Sequence, residues 1–242
     1  MIVIPMAGIS KRFTVEGYKV PKFMLELKNL SLFKHSLISF KNYFTTDKFL
    51  FIALDLDLYH EFLLNEIKEL GIQDFKIILL KDQTKGQAET VYKGLDQIND
   101  AINESEDLII FNIDTFRPNF IKPKFEYNID GYLEVFIGEG SNWSYIKTDL
   151  LDTNRVIETA EKNPISNLCC TGLYYFKSVK DFISSFHFYK KNLIMVNNEL
   201  YVAPLFNFLI KNNKYISYNL IKRDDVVFCG TPDEYQNLLM ND

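Results

Sequence analysis

Short apolar runs alternate with amphipathic stretches along the first half of the chain. The apolar runs predict buried strands, and the stretches between them repeat apolar residues every three or four positions, as on one face of a helix. The predicted strands are 2–4, 49–54, 76–80 and 108–113, and the predicted helices are 31–43, 59–70 and 87–98. Strands that alternate with helices form βαβ units, so we expect an α/β fold with a mainly parallel sheet.

The second half of the chain has a different pattern, with shorter strand-like runs that predict an antiparallel or mixed extension. These runs are 131–137, 143–147, 155–159 and 169–176; helices 179–189 and 199–211 and strands 216–221 and 226–228 follow. Near the end, Thr231-Pro232-Asp233-Glu234 has the form of an N-cap, a proline at the first helical position and acidic residues in the first turn. We therefore expect a last helix from residue 232.

Composition narrows the class of protein. The chain has 242 residues, of which 47% are hydrophobic and 24% charged, so it buries enough apolar surface to fold and is not a disordered protein. We expect a single domain over residues 1–242. The net charge of −5 argues against a nucleic-acid partner.

Cysteine usage and hydropathy predict a reduced, cytoplasmic protein. Cys169 and Cys170 are adjacent, Cys229 is alone, and neither a CxxC nor an HxxxH motif occurs, so we expect buried thiols and not a disulfide framework or a zinc site. The longest apolar run, 49–54, is far shorter than the ~20 residues of a membrane span. The start of the chain lacks the basic region of a signal peptide. The sequence leaves an oligomer open.

The loop after the first strand holds the strongest chemical signal. Met6-Ala7-Gly8-Ile9-Ser10-Lys11-Arg12-Phe13 combines small residues, which let backbone N–H groups approach a phosphate, with two cations, and Pro21-Lys22 adds a third. At the carboxyl end of a first strand, this arrangement is typical of a nucleotide site. It is neither a GxGxxG motif nor a P-loop. From the residues alone, a tight turn with solvated cations stays open.

Five segments together resemble one known family. Ile-Pro-Met-Ala-Gly-x-x-x-Arg-Phe followed by Pro-Lys-x-Met-Leu resembles the signature loop of nucleotidyltransferases that make nucleotide sugars and related activated metabolites, such as glucose-1-phosphate thymidylyltransferases and bacterial choline-phosphate cytidylyltransferases. The further segments keep the family's order: 83–88 is similar to its base-binding segment, 111–114 to its metal aspartate strand, 161–162 with 172–176 to its acceptor region, and 230–233 to its closing motif.

The resemblance implies a fold, a metal and a set of site residues. The fold is a Rossmann-like three-layer sandwich, the nucleotide-diphospho-sugar transferase fold, with residues 1–115 binding the nucleotide and 116–242 the acceptor. The implied nucleotide-binding residues are Ala7, Gly8, Ser10, Lys11, Gln83, Gly86 and Gln87; the acceptor-binding residues are Trp143, Glu161, Gly172 and Glu199; the catalytic residues are Arg12, Lys22 and Lys162. Asp114 would hold Mg²⁺ or Mn²⁺.

The implied reaction joins two anions. A phosphate oxygen of the acceptor attacks the α-phosphate of a nucleoside triphosphate, and pyrophosphate leaves in line. The catalyst must neutralise and align both partners. By resemblance Arg12 would contact the β- and γ-phosphates, Lys22 the α-phosphate and Lys162 the acceptor phosphate. A phosphate nucleophile is already ionised near neutral pH, so no general base is needed.

The identity of the two substrates stays open at this stage. Similarity to short cytidylyltransferases favours CTP, and the Pro-Lys-x-Met-Leu form resembles short members from capsule loci. The acceptor is either a sugar 1-phosphate or a non-sugar phosphate, of which phosphoglutamine is one example.

The chain departs from the family pattern at two positions. Ser10 stands where the family usually has a second glycine. Phe228 stands where many members have a second metal aspartate, two residues before the closing Gly-Thr. Asp225, just upstream, is the hypothetical replacement ligand, and a polar turn with Asp224 is the competing interpretation.

Two other functions remain as alternatives. Asp55-Leu56-Asp57 is a literal DxD, the metal motif of many glycosyltransferases, although polar residues at a strand end explain it as well. A glycosyltransferase would use this motif or Asp114 and consume a nucleotide sugar. A non-catalytic nucleotide-binding module is the other alternative. Ser10 and Phe228 favour it, whereas the residues that argue against it are Arg12, Lys22, Asp114 and Lys162.

Overall fold

The computed structural model describes residues 1–56, 58–99 and 102–240. The strands are β1 (Ile2–Met6), β2 (Glu26–Leu27), β3 (Leu30–Ser31), β4 (Lys48–Leu54), β5 (Asp74–Leu80), β6 (Leu108–Phe111), β7 (Thr115–Phe116), β8 (Gly131–Ile137), β9 (Ser144–Thr148), β10 (Val156–Glu161), β11 (Leu168–Phe176), β12 (Ile216–Ile221) and β13 (Val227–Phe228). The α-helices are α1 (Lys11–Val15), α2 (Leu32–Ile38), α3 (Tyr59–Leu70), α4 (Gln87–Asp96), α5 (Val179–Lys191), α6 (Phe206–Lys211) and α7 (Pro232–Met240).

One mixed sheet spans both halves of the chain. Its strands run in the order β5-β4-β1-β6-β11-β8-β12, with β1, β4, β5 and β6 parallel and β11 antiparallel to its neighbours. The antiparallel pair β9–β10 attaches beside the start of β11. The expected α/β class, with a mainly parallel sheet and a small antiparallel extension, is confirmed.

The sheet is covered on both faces, which explains why its central strands read as continuous apolar runs. In β1, Ile2 and Ile4 point to one core cluster and Val3 to the other. The first cluster includes Leu37 of α2 and Leu63 of α3. Helices α4, α5 and α6 contribute to the second cluster. These layers form the expected three-layer sandwich.

Helix ends follow the local signals in two clear cases. Helix α3 has the predicted bounds and ends at Gly71, which adopts a left-handed φ of 77°. At the start of α7, Thr231 and Glu234 form a capping box: the Glu234 N–H donates to the Thr231 hydroxyl at 3.2 Å, and the Glu234 carboxylate accepts the Thr231 N–H at 3.0 Å.

Other predicted elements differ from the structure. The helix predicted for 31–43 divides into α2 and a 3₁₀ turn at Lys41–Tyr43. The helix predicted for 199–211 begins only with a 3₁₀ turn at Ala203–Leu205, because Pro204 lacks an N–H and favours a first helical turn. The short elements α1, β2, β3 and β7 have no periodic signal and were not predicted.

Among the described residues, no helix is both long enough and apolar enough to cross a bilayer.

Candidate active site

A cavity of about 700 Å³ lies at the carboxyl ends of β1 and β6, beside the segment that follows β5. This is where open α/β sheets place their ligands. The sequence-derived site residues that line it are Ala7, Gly8, Ser10, Arg12, Lys22, Gln83, Gly86, Gln87, Asp114, Trp143, Glu161, Lys162, Gly172 and Glu199. The tertiary structure thus brings together all the residues that the sequence predicts for the site except Lys11 and Asp225. We call the lining residues within 5–23, 83–90 and 112–115 the nucleotide wall, and those within 139–144, 161–162 and 199–201 the acceptor wall, after the substrates that the sequence resemblance predicts for them.

Ser10 adopts a backbone conformation that usually favours glycine. Its φ is 51° and its ψ is 38°, in the left-handed region, and its hydroxyl accepts the backbone N–H of Lys22 at 3.2 Å. The serine therefore fastens the first loop to the Pro-Lys segment. This hydrogen bond is a physical reason for serine at the position where the family usually has glycine.

Lys11 and Arg12 are adjacent but point in different directions. Both lie in the short helix α1, where successive side chains are rotated by about 100°. Both residues are exposed, but Arg12 lines the cavity and Lys11 does not. Of this pair, the structure brings only Arg12 to the site. Arg12 forms no ion pair within the described part of the chain, so its guanidinium is available to a ligand.

Asp114 lies just beyond β6 and pairs with Lys22 across the cavity floor. The Lys22 ammonium contacts Asp114 Oδ2, and each of these side chains is 22% exposed. The Asp114 carbonyl accepts the Cys229 N–H at 2.8 Å, which ties the aspartate to the segment before α7. Burial, together with Asp114 and Glu234 nearby, raises the pKa of Cys229 to about 12, so this thiol stays protonated at neutral pH.

Asp114 suits a hard cation such as Mg²⁺, but the described residues contain no group of three or more His, Cys, Asp or Glu able to hold a metal unaided. Mg²⁺ is commonly held by one or two carboxylates together with substrate phosphates. The Asp114 carboxylate faces the cavity and already accepts a cationic partner, Lys22. The residues present therefore fit a metal that arrives with a polyphosphate.

The other candidate metal ligands lie elsewhere. Asp225 belongs to an exposed 3₁₀ turn, Arg223–Asp225, where its carboxylate accepts the Lys222 N–H at 3.2 Å. It does not line the cavity, so the structure does not bring it to Asp114, and the competing interpretation, a polar turn, fits its position. Asp55 is exposed and also absent from the cavity lining, and Asp57 lies outside the described residues.

Gly86 allows the expected base-binding segment to pack against the acceptor wall. Its φ is 110°, and a Cβ there would lie 2.6 Å from the Leu200 carbonyl oxygen. That same oxygen accepts the Ala88 N–H at 3.0 Å. The adjacent Gln87 side chain donates to Asn112 Oδ1. Only glycine fits this close approach without strain, which explains its place in the segment.

Lys162 presents its ammonium from the acceptor wall. Its φ of 55° marks a sharp change of direction directly after β10. The ammonium donates to the Tyr201 hydroxyl at 2.5 Å. Burial and the neighbouring Glu199 raise the pKa of Tyr201, which keeps the phenol neutral beside the lysine. Lys162 therefore faces the cavity from a fixed position.

Glu161 and Gly172 also line the cavity. Glu161 is 8% exposed and accepts a hydrogen bond from the Ser144 hydroxyl, and burial raises the pKa of this carboxyl group. Gly172 has a φ of 97°, and a Cβ there would lie 2.6 Å from Asn112 Cγ. It lies within a register shift of β11, so the strand bends around the Asn112 side chain.

Aromatic side chains occupy the position where many family members have a second metal aspartate. Phe228 packs on Trp143 with ring centroids 4.6 Å apart, and Phe136 completes the group at 5.2 Å from Trp143. Both Trp143 and Phe228 line the cavity. At this position the site therefore presents an apolar surface and not a metal-binding carboxylate.

Several cavity residues have no role predicted from the sequence, among them Asn112, Thr115, Glu139, Thr171, Tyr201 and Glu234. Asn112 lies within the family-like segment 111–114, and Tyr201 lies two residues after Glu199, which is the only local signal they carry. The others reach the cavity through strand register and loop packing.

Comparison with known structures shows the family to which this chain belongs. No family model matches the chain, and no curated protein matches it either. Among solved structures, the nucleoside-diphosphate-sugar pyrophosphorylase from Vibrio cholerae RC9 is similar at 46% identity and a TM-score of 0.94, over 99% of this chain and 100% of that one. The chain belongs to the nucleotidyltransferase family.

More distant structures share the nucleotidyltransferase fold. The inositol-1-phosphate CTP transferase from T. maritima matches at 14% identity with a TM-score of 0.73, over 99% of this chain and 94% of that one. A UDP-glucose pyrophosphorylase complexed with UDP-glucose matches at 16% identity with a TM-score of 0.73, over 99% and 97%. Membership of the nucleotidyltransferases makes the protein an enzyme, and it sets aside the glycosyltransferase and the non-catalytic module.

Proposed function

We propose that this nucleotidyltransferase transfers a nucleoside monophosphate from a nucleoside triphosphate to a phosphorylated small molecule and releases pyrophosphate. The observation that carries the proposal is that cations from both halves of the chain line one cavity. Arg12 and Lys22 line it on the nucleotide wall with Asp114, and Lys162 lines it on the acceptor wall. Two anions can thus be held in the same cavity without sharing a cation.

The nucleotide wall, within residues 1–115, would bind the triphosphate. The unpaired Arg12 guanidinium suits the β- and γ-phosphates, which leave as pyrophosphate. The Lys22 ammonium suits the α-phosphate, where negative charge develops during the attack. Asp114 would hold Mg²⁺ or Mn²⁺ against the phosphate oxygens, and the metal would supply further charge neutralisation.

The acceptor wall, within residues 116–242, would align the nucleophile. The Lys162 ammonium would hold the acceptor phosphate with one oxygen directed at the α-phosphate. Alignment of two bound reactants replaces a collision in solution and removes much of the entropic barrier. The attacking phosphate is already ionised, so these residues need not remove a proton.

The rest of the acceptor would be read by hydrogen bonds. Glu139, Glu161 and Glu199 line the acceptor wall beside the Trp143 ring. Carboxylates accept hydrogen bonds and repel further anions, so the acceptor would carry hydroxyl or amine donors next to its phosphate. Both a sugar 1-phosphate and a small amine-bearing phosphate meet this description.

The finer identity of the substrates rests on the sequence resemblance. Similarity to short cytidylyltransferases favours CTP as the nucleotide, and the Pro-Lys-x-Met-Leu form favours a role in making capsule or another surface polysaccharide. A triphosphate substrate would place the reaction in the cytoplasm, where the buried cysteines would stay reduced.

Pyrophosphate release over a matrix of substrates tests the function. CTP, UTP, dTTP, ATP and GTP are each paired with sugar 1-phosphates, choline phosphate and phosphoglutamine, with Mg²⁺ present. We expect release only when a nucleotide and an acceptor are both present, and most with CTP. The Asp114→Asn variant is the inactive control. Release without an acceptor, or none with any pair, would contradict the proposal.

A further inference from the structure

The metal aspartate is followed at once by a very short strand. Directly after Asp114, β7 pairs with β13, the strand that ends in the cavity residue Phe228. Each of these strands has two residues. A ribbon of this size is marginal in water without support from the rest of the protein. The placement of Asp114 and Phe228 therefore depends on what holds this ribbon.

Arg117, the residue after β7, binds three separate parts of the fold. Its Nε donates to Glu134 Oε1 in β8 at 3.0 Å, and its Nη1 donates to the Asp225 carbonyl at 3.1 Å. Its backbone N–H donates to the Ser39 hydroxyl at 2.8 Å. One planar guanidinium thus connects the central sheet to the turn that leads into β13.

Glu134 is the sole charged residue of β8 and is completely buried. Its side chain is 0% exposed, and that of Arg117 is 12% exposed. Its carboxylate also accepts from the Thr171 hydroxyl and from the Asn219 side-chain amide, each at 3.2 Å. Burial raises the pKa of Glu134, whereas Arg117 and the other donors lower it. A buried charge is costly unless it is paired, and replacing a buried ion pair by apolar residues is often neutral for stability. The stability of the sheet therefore does not explain why a glutamate stands at this position.

We propose that Arg117 and Glu134 are a positioning pair that fixes the β7–β13 ribbon, and with it the proposed metal ligand Asp114, directly before β7, and Phe228 at the end of β13. Neither residue lines the cavity, so each acts through the ribbon. The catalytic consequence rests on the proposed function, because it assumes that Asp114 acts in the reaction. The positioning itself does not.

The chain carries a natural reporter of this ribbon. Trp143 is the sole tryptophan in the sequence, and its ring lies 4.6 Å from that of Phe228. The path from Arg117 to this ring runs through the Asp225 carbonyl, Val226 and β13. A displacement of the ribbon changes the surroundings of Trp143, and therefore its emission, in the absence of any substrate.

Arg117→Lys is the principal test. Lysine keeps the positive charge beside Glu134, but its single ammonium cannot reproduce the fork that also holds the Asp225 carbonyl. We expect a folded protein with a shifted Trp143 emission, weaker Mn²⁺ binding measured by electron paramagnetic resonance with a nucleotide analogue, and about a tenfold lower kcat/KM. Arg155→Lys is the matched control, because the Arg155 guanidinium stacks on Tyr215, which is not part of the cavity lining.

Glu134→Gln provides a second variant of the same shape. The Asn219 amide can turn to accept from the new glutamine, so the charge is removed while the packing is kept. We expect the same emission shift as in Arg117→Lys, and Arg117→Lys alone decides the question if Glu134→Gln does not fold. Wild-type emission and Mn²⁺ binding in folded Arg117→Lys would overturn the positioning role. Shifted emission in a protein that releases no pyrophosphate with any substrate would support the positioning role and overturn only the proposed function.

Discussion

The two walls of the cavity differ in the balance of their charges. On the nucleotide wall, Arg12 and Lys22 accompany Asp114, and the Glu234 carboxylate lies near Asp114 in the cavity lining. On the acceptor wall, Lys162 accompanies Glu139, Glu161 and Glu199. The acceptor wall therefore has one cation for three carboxylates and is the more acidic of the two, although both are expected to receive a phosphorylated molecule.

The difference indicates two modes of recognition. A triphosphate is highly charged, so the unpaired Arg12 guanidinium would attract it electrostatically. The acidic wall repels anions except at Lys162. Its selectivity must come from hydrogen-bond donors on the acceptor, which its carboxylates accept. The two substrates should therefore respond differently to the loss of a single charge.

The largest effect is expected from loss of Asp114, the proposed metal ligand. Asp114→Asn should abolish pyrophosphate release, and excess EDTA should do the same to the wild-type enzyme, because a neutral amide cannot hold the metal that neutralises the phosphates. Asp225→Asn is the control and should stay active, since Asp225 does not line the cavity. Full activity in EDTA would show that the nucleotide wall acts without a metal.

The nucleotide-wall cations come next. Arg12→Ala and Lys22→Ala should each lower turnover by about 10²-fold or more, as on removal of one contact to a transition-state charge. Steady-state kinetics with saturating acceptor measures this. Wild-type rates in both variants would show that these two cations do not contribute to turnover.

Lys162→Ala should affect the acceptor alone. We expect a higher acceptor KM and a lower turnover, because the same contact binds and aligns the nucleophile. Nucleotide affinity measured by calorimetry should change little. A tenfold loss of nucleotide affinity with an unchanged acceptor KM would show that the two walls do not divide the substrates as proposed.

The smallest effect is expected at Lys11. Lys11→Ala removes a positive charge one residue from Arg12, but from an exposed side chain that does not line the cavity. Exposed charges are well screened, so turnover and nucleotide KM should stay within about twofold of wild type at physiological salt. A loss as large as that of Arg12→Ala would mean that the first loop rearranges when the nucleotide binds.

Elements with strong local signals were predictable. Helix α3 has both an apolar face and a glycine stop, and it appears with the predicted bounds. Helix α7 begins with the predicted capping residues, Thr231 and Glu234. The short strand β13 lies within the strand predicted for 226–228, whereas the two-residue strand β7 has no periodicity to detect, because only pairing with a distant partner defines it.

The residues of the candidate site were likewise only partly predictable from the sequence. The order of motifs along the chain indicated Lys22, Asp114 and Lys162 as site residues by resemblance to the family. The first loop was also indicated by its place at the carboxyl end of a strand, where open α/β sheets bind ligands. The same motifs did not reveal Arg117 and Glu134. A lone glutamate within an apolar strand was a signal, but its partner lies on another element and could not be named.

By itself, the sequence determined the α/β class, the family and the loops that carry the charged groups, since these depend on patterns within a few tens of residues. The tertiary structure decided which of two neighbouring groups reaches the cavity. It placed Arg12 inside and Lys11 outside, and it put the Phe228 ring, and not the Asp225 carboxylate, in the cavity lining. The physical reason is that a side chain's direction follows from helix rotation and strand register, and one residue of change in either reverses the outcome.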